Sequence, residues 1–363
     1  MASVDRTAYP RVPSTVSGRE LAEAFTPAAE EVRWACATIV DPGARLSLLV
    51  LLKCYQRLGY FPPPGRVPPE VTEHVHARAA ELVRDRIDPP GRQSDRMIRR
   101  CRELVRRRTG AVGDPDRVRA VAETAMRRAL QGKDNPADVI NVALEALNGR
   151  GCELPAYSML DRLAGRLRAE VNDGFHHLVA GRLDAAARAR LAGLLAVDPV
   201  TRQSALPTLT RPAGRATVSR LKQHVAFLAW LDDFGPGGDW LAGVPAAKIS
   251  HFAGEAAVLD AGELTGVGED KRLTLLACVV HTARTRARDE GVTMFCKRMA
   301  ALASKAKDKL EELREAHRAE SERLLGVFGD VLAGSGRPSA PPGPGQAAPQ
   351  ARNWTPAAVR LPR

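Results

Sequence analysis

The residues in this chain best equipped to do chemistry are arginines, and the chemistry they suit is the binding of polyanions. In residues 96–108, RMIRRCRELVRRR, the apolar Met97, Ile98, Cys101, Leu104 and Val105 fall along one stripe of a helix. At 100° per residue, Arg96, Arg99 and Arg106 point away from that stripe, while Arg100, Arg102 and Arg107 flank it. Between Arg84 and Arg108 there are ten arginines against four acids, a net +6 in a chain whose total is +12. Each cation set beside a phosphate releases a condensed counterion, so a phased ridge is what contact with a duplex backbone requires. A solvated helical face is the alternative reading of the same residues.

A second constellation lies in KDNPADVINVALEALNGRGCELPAYSMLDRLAGRLRAEV. Val139, Ile140, Ala143 and Leu147 form an apolar stripe, Asn148-Gly149 supplies a stop, and Pro155 fits the first turn of a second helix. That second helix buries Leu160, Leu163, Ala164, Leu167 and Val171, which leaves Ser158, Arg162 and Arg166 on its other face. The pattern is that of a helix-turn-helix, whose second helix enters the major groove by its first residues, where arginine reads guanine with two hydrogen bonds. The connection GRGCELP is longer than the tight turn of the simplest motif, so an ordinary helical hairpin fits the spacing equally well.

Other reactive residue types form no pattern of their own. His74 and His76 lie two apart on a helix, His176 and His177 are adjacent, and no HExxH, CxxC or GxxxxGKS/T sequence is present. The stretch GVGEDKRLTLL has glycines and a lysine but no preceding strand, so a glycine turn before a helix accounts for it. No metal site, cofactor, small-molecule substrate or catalytic residue is expected, and the reading is of a binding protein, not an enzyme.

The elements that must position these residues are helices. Ser17 with Glu20, Thr26 before Pro27 and Asn135 before Pro136 are helix starts, aromatics are only 4% of the chain, and two-residue alternation is scarce. The fold class is all-α: consecutive helical DNA-binding units over 17–112 and 114–175 (helix-turn-helix-like), a third helical unit over 176–245, then a helical linker or dimerisation region over 246–332. That last region carries the apolar run Leu273 to Val280 and a long charged helix from about Met294 to Leu332, which suits either a solvated surface or a partner helix. Residues 333–363 read as a disordered tail, because seven prolines and four glycines crowd the last 30 residues.

Six dispersed cysteines, Cys36, Cys54, Cys101, Cys152, Cys278 and Cys296, read as reduced thiols within apolar helical patterns. The first residues lack an apolar signal core, and the run Leu46 to Leu52 is far shorter than the roughly 20 residues that cross a bilayer. A cytoplasmic location is expected, with no membrane partner.

Taken together, the motifs resemble the amino-terminal region of the Tn-three family of replicative transposases. RLSLLVLLKCYQRLGYFP followed by VPPEV is similar to that family's opening motif, SDRMIRRCRELVRRRTG to its arginine-rich helix closing on glycine, and NPADVINVALEALNGRGCELPAYSMLDRLAGRLRAEVN to its next block. Weaker similarity runs on to about Leu332. The resemblance implies sequence-specific binding to the terminal inverted repeats of a transposon by successive helical units, with a later helical region contributing to dimer contacts, and a bacterial, nucleoid-associated location. The family's metal-binding acidic residues lie in a further catalytic domain, so the expectation is a chain truncated before that domain and without activity of its own. The other expectation is a helical oligomerisation or regulatory module that contacts an intact transposase, or a second copy of this chain, rather than DNA.

Overall fold

A computed structural model describes residues 4–11, 15–83, 86–88 and 94–335 of the 363. Among the described residues the structure is all-α, and the one extended pairing is an isolated parallel bridge between Val112 and Cys152. The expected tail lies outside the described residues from residue 336 onward.

The first core gathers α1 (Gly18–Glu20) with the wide turn Leu21–Phe25 that continues it, α2 (Ala29–Thr38), α3 (Pro42–Leu58), α4 (Pro69–Leu82) and α5 (Asp95–Thr109). Helix α3 is its axis. Asp41 caps it by accepting from the Ala44 amide at 2.8 Å, Pro42 suits its first turn, and its near-continuous apolar run puts Leu46, Leu48, Leu49 and Leu52 out of water on several sides. Each such leucine contributes roughly 1.5–3 kcal/mol of transfer free energy. Helix α2 starts at Ala29, two residues beyond the position that Thr26-Pro27 suggested. The Thr26 hydroxyl is engaged with His74 Nε2 at 2.9 Å, and the cap comes instead from the Glu31 carboxylate, which accepts from the Ala28 amide at 2.8 Å.

The second core is a three-helix unit: α6 (Pro115–Ala129), α7 (Pro136–Gly149) and α8 (Tyr157–Ala180). Val118, Met126, Ile140, Leu147, Leu160, Leu163 and Leu167 are buried at its centre. Asn135 caps α7 as expected, accepting from the Ala137 amide at 3.0 Å. Pro155 stands two residues before α8 rather than within its first turn.

Helix α8 is long enough to serve two cores. Its first half closes the second, and Phe175, Val179 and Ala180 enter the third. The third core also takes in α9 (Ala185–Gly193), α10 (Leu206–Thr210), α11 (Val218–Asp232), α12 (Gly237–Trp240), α13 (Ala246–Val258), α14 (Ala261–Gly266) and the first turns of α15 (Glu269–Ser335). Its buried residues run from Phe175 to Ala287, so the elements on either side of residue 245 share one apolar centre.

A buried ionic knot ties the second core to the third. Lys248, 1% exposed, donates to Asp134 Oδ1 at 2.6 Å and to Asn172 Oδ1 at 2.8 Å, while His251 Nε2 stands 3.0 Å from Asp134 Oδ2. Burial pushes the Asp134 carboxyl up, but the hydrogen bonds from Lys248 and Asn172 outweigh it and hold the pKa below the ordinary 3.8.

By its contacts the chain divides into two units, residues 1–292 and 293–363. Helix α15 starts at Glu269, 25 residues before the charged stretch that drew attention in the sequence, because the apolar run Leu273 to Val280 belongs to the same helix. Within 293–335 nearly every described side chain is exposed, Phe295, Leu313 and Phe328 among them. No helix among the described residues is long and apolar enough to cross a membrane.

Candidate nucleic-acid interface

Helix α5 forms as its sequence dictates. The Ser94 hydroxyl accepts from the Met97 amide at 3.3 Å, Cys101 and Val105 are fully buried against the first core, and the helix stops at Gly110. The stripe is therefore the packed face, and the arginines lie around the remainder. They are not equivalent, however.

On the amino-terminal half, Arg96, Arg99 and Arg100 are exposed and make no ion pair among the described residues. The one hydrogen bond among these three is from Arg99 Nε to its own helix, at Asp95 O, 3.3 Å. Three guanidinium groups without an acidic partner among the described residues thus share one surface over five residues. The carboxy-terminal half is largely satisfied. Arg106 is only 28% exposed and donates through Nε to Glu153 at 2.8 Å, with its guanidinium 5.4 Å from the Phe61 ring centre. Arg102 is half-buried, 5.8 Å from the same ring. Arg107 pairs with Glu103 at 3.3 Å, and Arg108 lies over Trp34 at 4.7 Å and near Glu30 at 3.7 Å. The geometry thus departs from the ideal wheel. Arg106 does not point away into solvent but folds back across the seam to the second core, because Glu153 and Phe61 together offer a partner and a flat apolar face.

That seam fixes α5 relative to α8. The connection GRGCELP is long because it is part of the packing. Val112 N donates to Gly151 O at 2.9 Å, Glu153 N to Val112 O at 2.9 Å, and Leu154 N to Gly59 O at 2.8 Å. Gly59 ends α3 with φ +73°, a backbone shape that a side chain resists, and a Cβ there would crowd Leu154 at 3.2 Å. A Cβ at Gly113 would press on the end of the Arg106 side chain, which would have to shift to make room. The amino-terminal segment straps both cores: Tyr9 packs between Tyr60 and Tyr157, ring centres 5.5 and 5.6 Å away, and its hydroxyl donates to Pro155 O at 2.9 Å. Burial, first of all, pushes the Tyr9 phenol above its usual range.

On α8, Ser158, Arg162 and Arg166 are all exposed, four residues apart, on the face opposite Leu160, Leu163 and Leu167. Arg162 Nε donates to Ser158 O at 3.1 Å, and Arg166 stands 3.6 Å from Glu123. Glu123 is already held by Arg127 at 3.0 Å, and Arg127 also bonds Glu170 at 3.0 Å, so one carboxylate serves two guanidinium groups. Packing of α6 on α8 adds a residue that the sequence did not single out. Arg119, exposed on α6, faces Arg162 and Arg166 across a depression of about 290 Å³ whose other lining residues are Met159 and Leu163. Only the α6–α8 contact brings these three arginines together, so sequence spacing carried no signal of it.

Among the described residues no group of three or more His, Cys, Asp or Glu side chains is disposed to hold a metal ion. His74 and His76 serve as packing contacts, to Thr26 and to Ile87 O, and His177 pairs with Asp270 at 2.5 Å. The six cysteines carry no disulfide; Cys152 lies in the seam rather than in a helix, and Cys296 is exposed.

A family model described as a domain of unknown function, DUF4158, matches residues 1–167. The match takes in the first core, the seam and α8 as far as Leu167, and so includes every arginine named above. No curated protein matches the chain.

Proposed function

We propose that this chain binds double-stranded DNA, and that its targets are the terminal inverted repeats of a transposon. The observation that carries the reading is the set of exposed guanidinium groups on the first half of α5, without an ion pair among the described residues, on the side of the helix away from the buried Cys101 and Val105. In this reading Arg96, Arg99 and Arg100 meet backbone phosphates, and α8 presents Ser158, Arg162 and Arg166 to the duplex from the same rigid block. Binding at a fixed spacing is what the seam serves: a loosely tethered pair of units would lose orientational entropy on binding both surfaces.

The Tn-three assignment draws on the sequence motifs quoted above, which fall largely within the matched residues 1–167. The proposal is one of recognition and assigns no reaction to these residues. A second reading, contact with another copy or with an intact transposase, is favoured by one observation: apolar side chains such as Phe295, Leu302, Leu313 and Leu324 are exposed in 293–335.

The test is binding of the full chain to a fluorescent duplex bearing the inverted repeat that flanks its gene, against a scrambled duplex of equal length. Preference for the repeat that persists at physiological salt is expected. Equal affinity for both duplexes would refute end recognition.

A further inference from the structure

We propose that the depression between α6 and α8 is the seat of a single backbone phosphodiester, with Arg119 as its principal ligand. The inference rests on the DNA-binding reading and deepens it, by assigning α6 a grip on the backbone that sets the register of α8.

Arg119, Arg162 and Arg166 line one space of about 290 Å³ whose lining includes no carboxylate, the acid beside it being Glu123, 3.6 Å from Arg166. Like charges brought together repel, and an anion in the depression relieves that repulsion. Two of the three already have partial partners, Arg162 in the Ser158 carbonyl and Arg166 in Glu123. Arg119 has no hydrogen bond or ion pair among the described residues, which leaves its full fork of donors for a ligand. Leu163, 4% exposed, and the half-buried Met159 supply the apolar part of the lining, where a charge-assisted hydrogen bond is less screened than in open water.

The planar fork of arginine matches two oxygens of a carboxylate or of a phosphate at once, and on the DNA-binding reading the anion supplied is the phosphate ester of the backbone. A free phosphate has the same chemistry. The site sits beside the exposed first turns of α8, and a phosphate held there by a duplex would place the adjacent groove against Ser158 and Arg162.

The experiment uses the full chain, wild type and Arg119→Ala, with the inverted-repeat duplex and a set of duplexes in which one phosphate at a time is a neutral methylphosphonate. Arg119 is exposed, so its replacement leaves the core intact. The salt slope is expected to fall by about one unit in the variant while the ratio of specific to scrambled affinity stays the same. At one methylphosphonate position the wild type is expected to lose as much affinity as the variant has lost, and the variant to lose nothing more. An unchanged slope, or no position coupled to Arg119 in a wild type that does bind DNA, would overturn the phosphate seat and leave the proposed function standing. If millimolar inorganic phosphate at constant ionic strength displaced the duplex from wild type and not from the variant, the site would belong to free phosphate. A wild type that binds no duplex would overturn both.

Discussion

Replacing Arg106 and Arg99, seven residues apart on one helix, should have opposite consequences. Arg106→Ala removes a short ion pair to Glu153 and a cation over the Phe61 ring, with about a quarter of the arginine side chain and a fifth of the glutamate exposed. A hydrogen bond between charged groups contributes about 1.5–3 kcal/mol when well shielded, and the ring contact about 0.5–1. Partial exposure calls for a discount on the ionic part, so a loss of about 2 kcal/mol is expected. With a urea dependence of roughly 3 kcal/mol per molar, the unfolding midpoint should fall by about 0.7 M. Arg99→Ala removes only a 3.3 Å bond to its own helix backbone, and should shift stability by less than about 0.5 kcal/mol. In DNA binding the order reverses: Arg99→Ala should flatten the salt slope by about one unit, whereas Arg106→Ala leaves it nearly unchanged at temperatures where the variant is folded. A cycle with Glu153→Gln isolates the pair, because the double variant should lose much less than the sum of the two singles. Were Arg106→Ala to keep the wild-type midpoint and flatten the slope as Arg99→Ala does, the assignment of Arg106 to the seam would be refuted.

Further outcomes are expected from the same geometry. Lys248→Met should destabilise residues 1–292 by about 3 kcal/mol in thermal unfolding, the low end for breaking a buried pair, since Asn172 and His251 still face Asp134. Because the folded pKa of Asp134 is depressed, its contribution is complete above the ordinary carboxylate range and is lost as pH falls through the folded value, so the deficit of Lys248→Met should shrink below about pH 3.8. Burial pushes the Cys54 and Cys278 thiols to about 12 and the Cys101 thiol to about 11, so a thiol reagent near neutral pH should label the exposed Cys296 first and reach these three only on unfolding. Replacing Ser158 or Arg162 with Ala should cost about 1–3 kcal/mol on the inverted repeat and little on a scrambled duplex. Equal losses on both would assign these residues to the backbone.

The local pattern was legible where one helix decides the outcome. Cys101 and Val105 are buried because their spacing puts them on the stripe, and Leu160, Leu163 and Leu167 follow the same rule on α8. What a helical wheel cannot contain is a partner far along the chain. Arg106 looks like any outward arginine until Glu153 and Phe61 are beside it, and Arg119 belongs to an unexceptional PDRVRAV stretch until α6 packs on α8. The connection GRGCELP read as a long turn, yet its amides and carbonyls join Gly59 and Val112, which lie more than 35 residues before it in sequence. Thr26-Pro27 shows the same limit at a helix start, where a contact with His74 outweighs a local capping signal.

The central claim is that the exposed Arg96, Arg99 and Arg100 on α5 contact a duplex backbone, and a salt series tests it most directly. The affinity of wild type and of the triple variant Arg96→Ala, Arg99→Ala, Arg100→Ala would be measured on one inverted-repeat duplex from 50 to 200 mM salt. With about 0.9 units per phosphate contact, the triple variant should bind with a slope about 2.7 units shallower than wild type, and its unfolding midpoint should be unchanged. Equal slopes for the two proteins would contradict the claim.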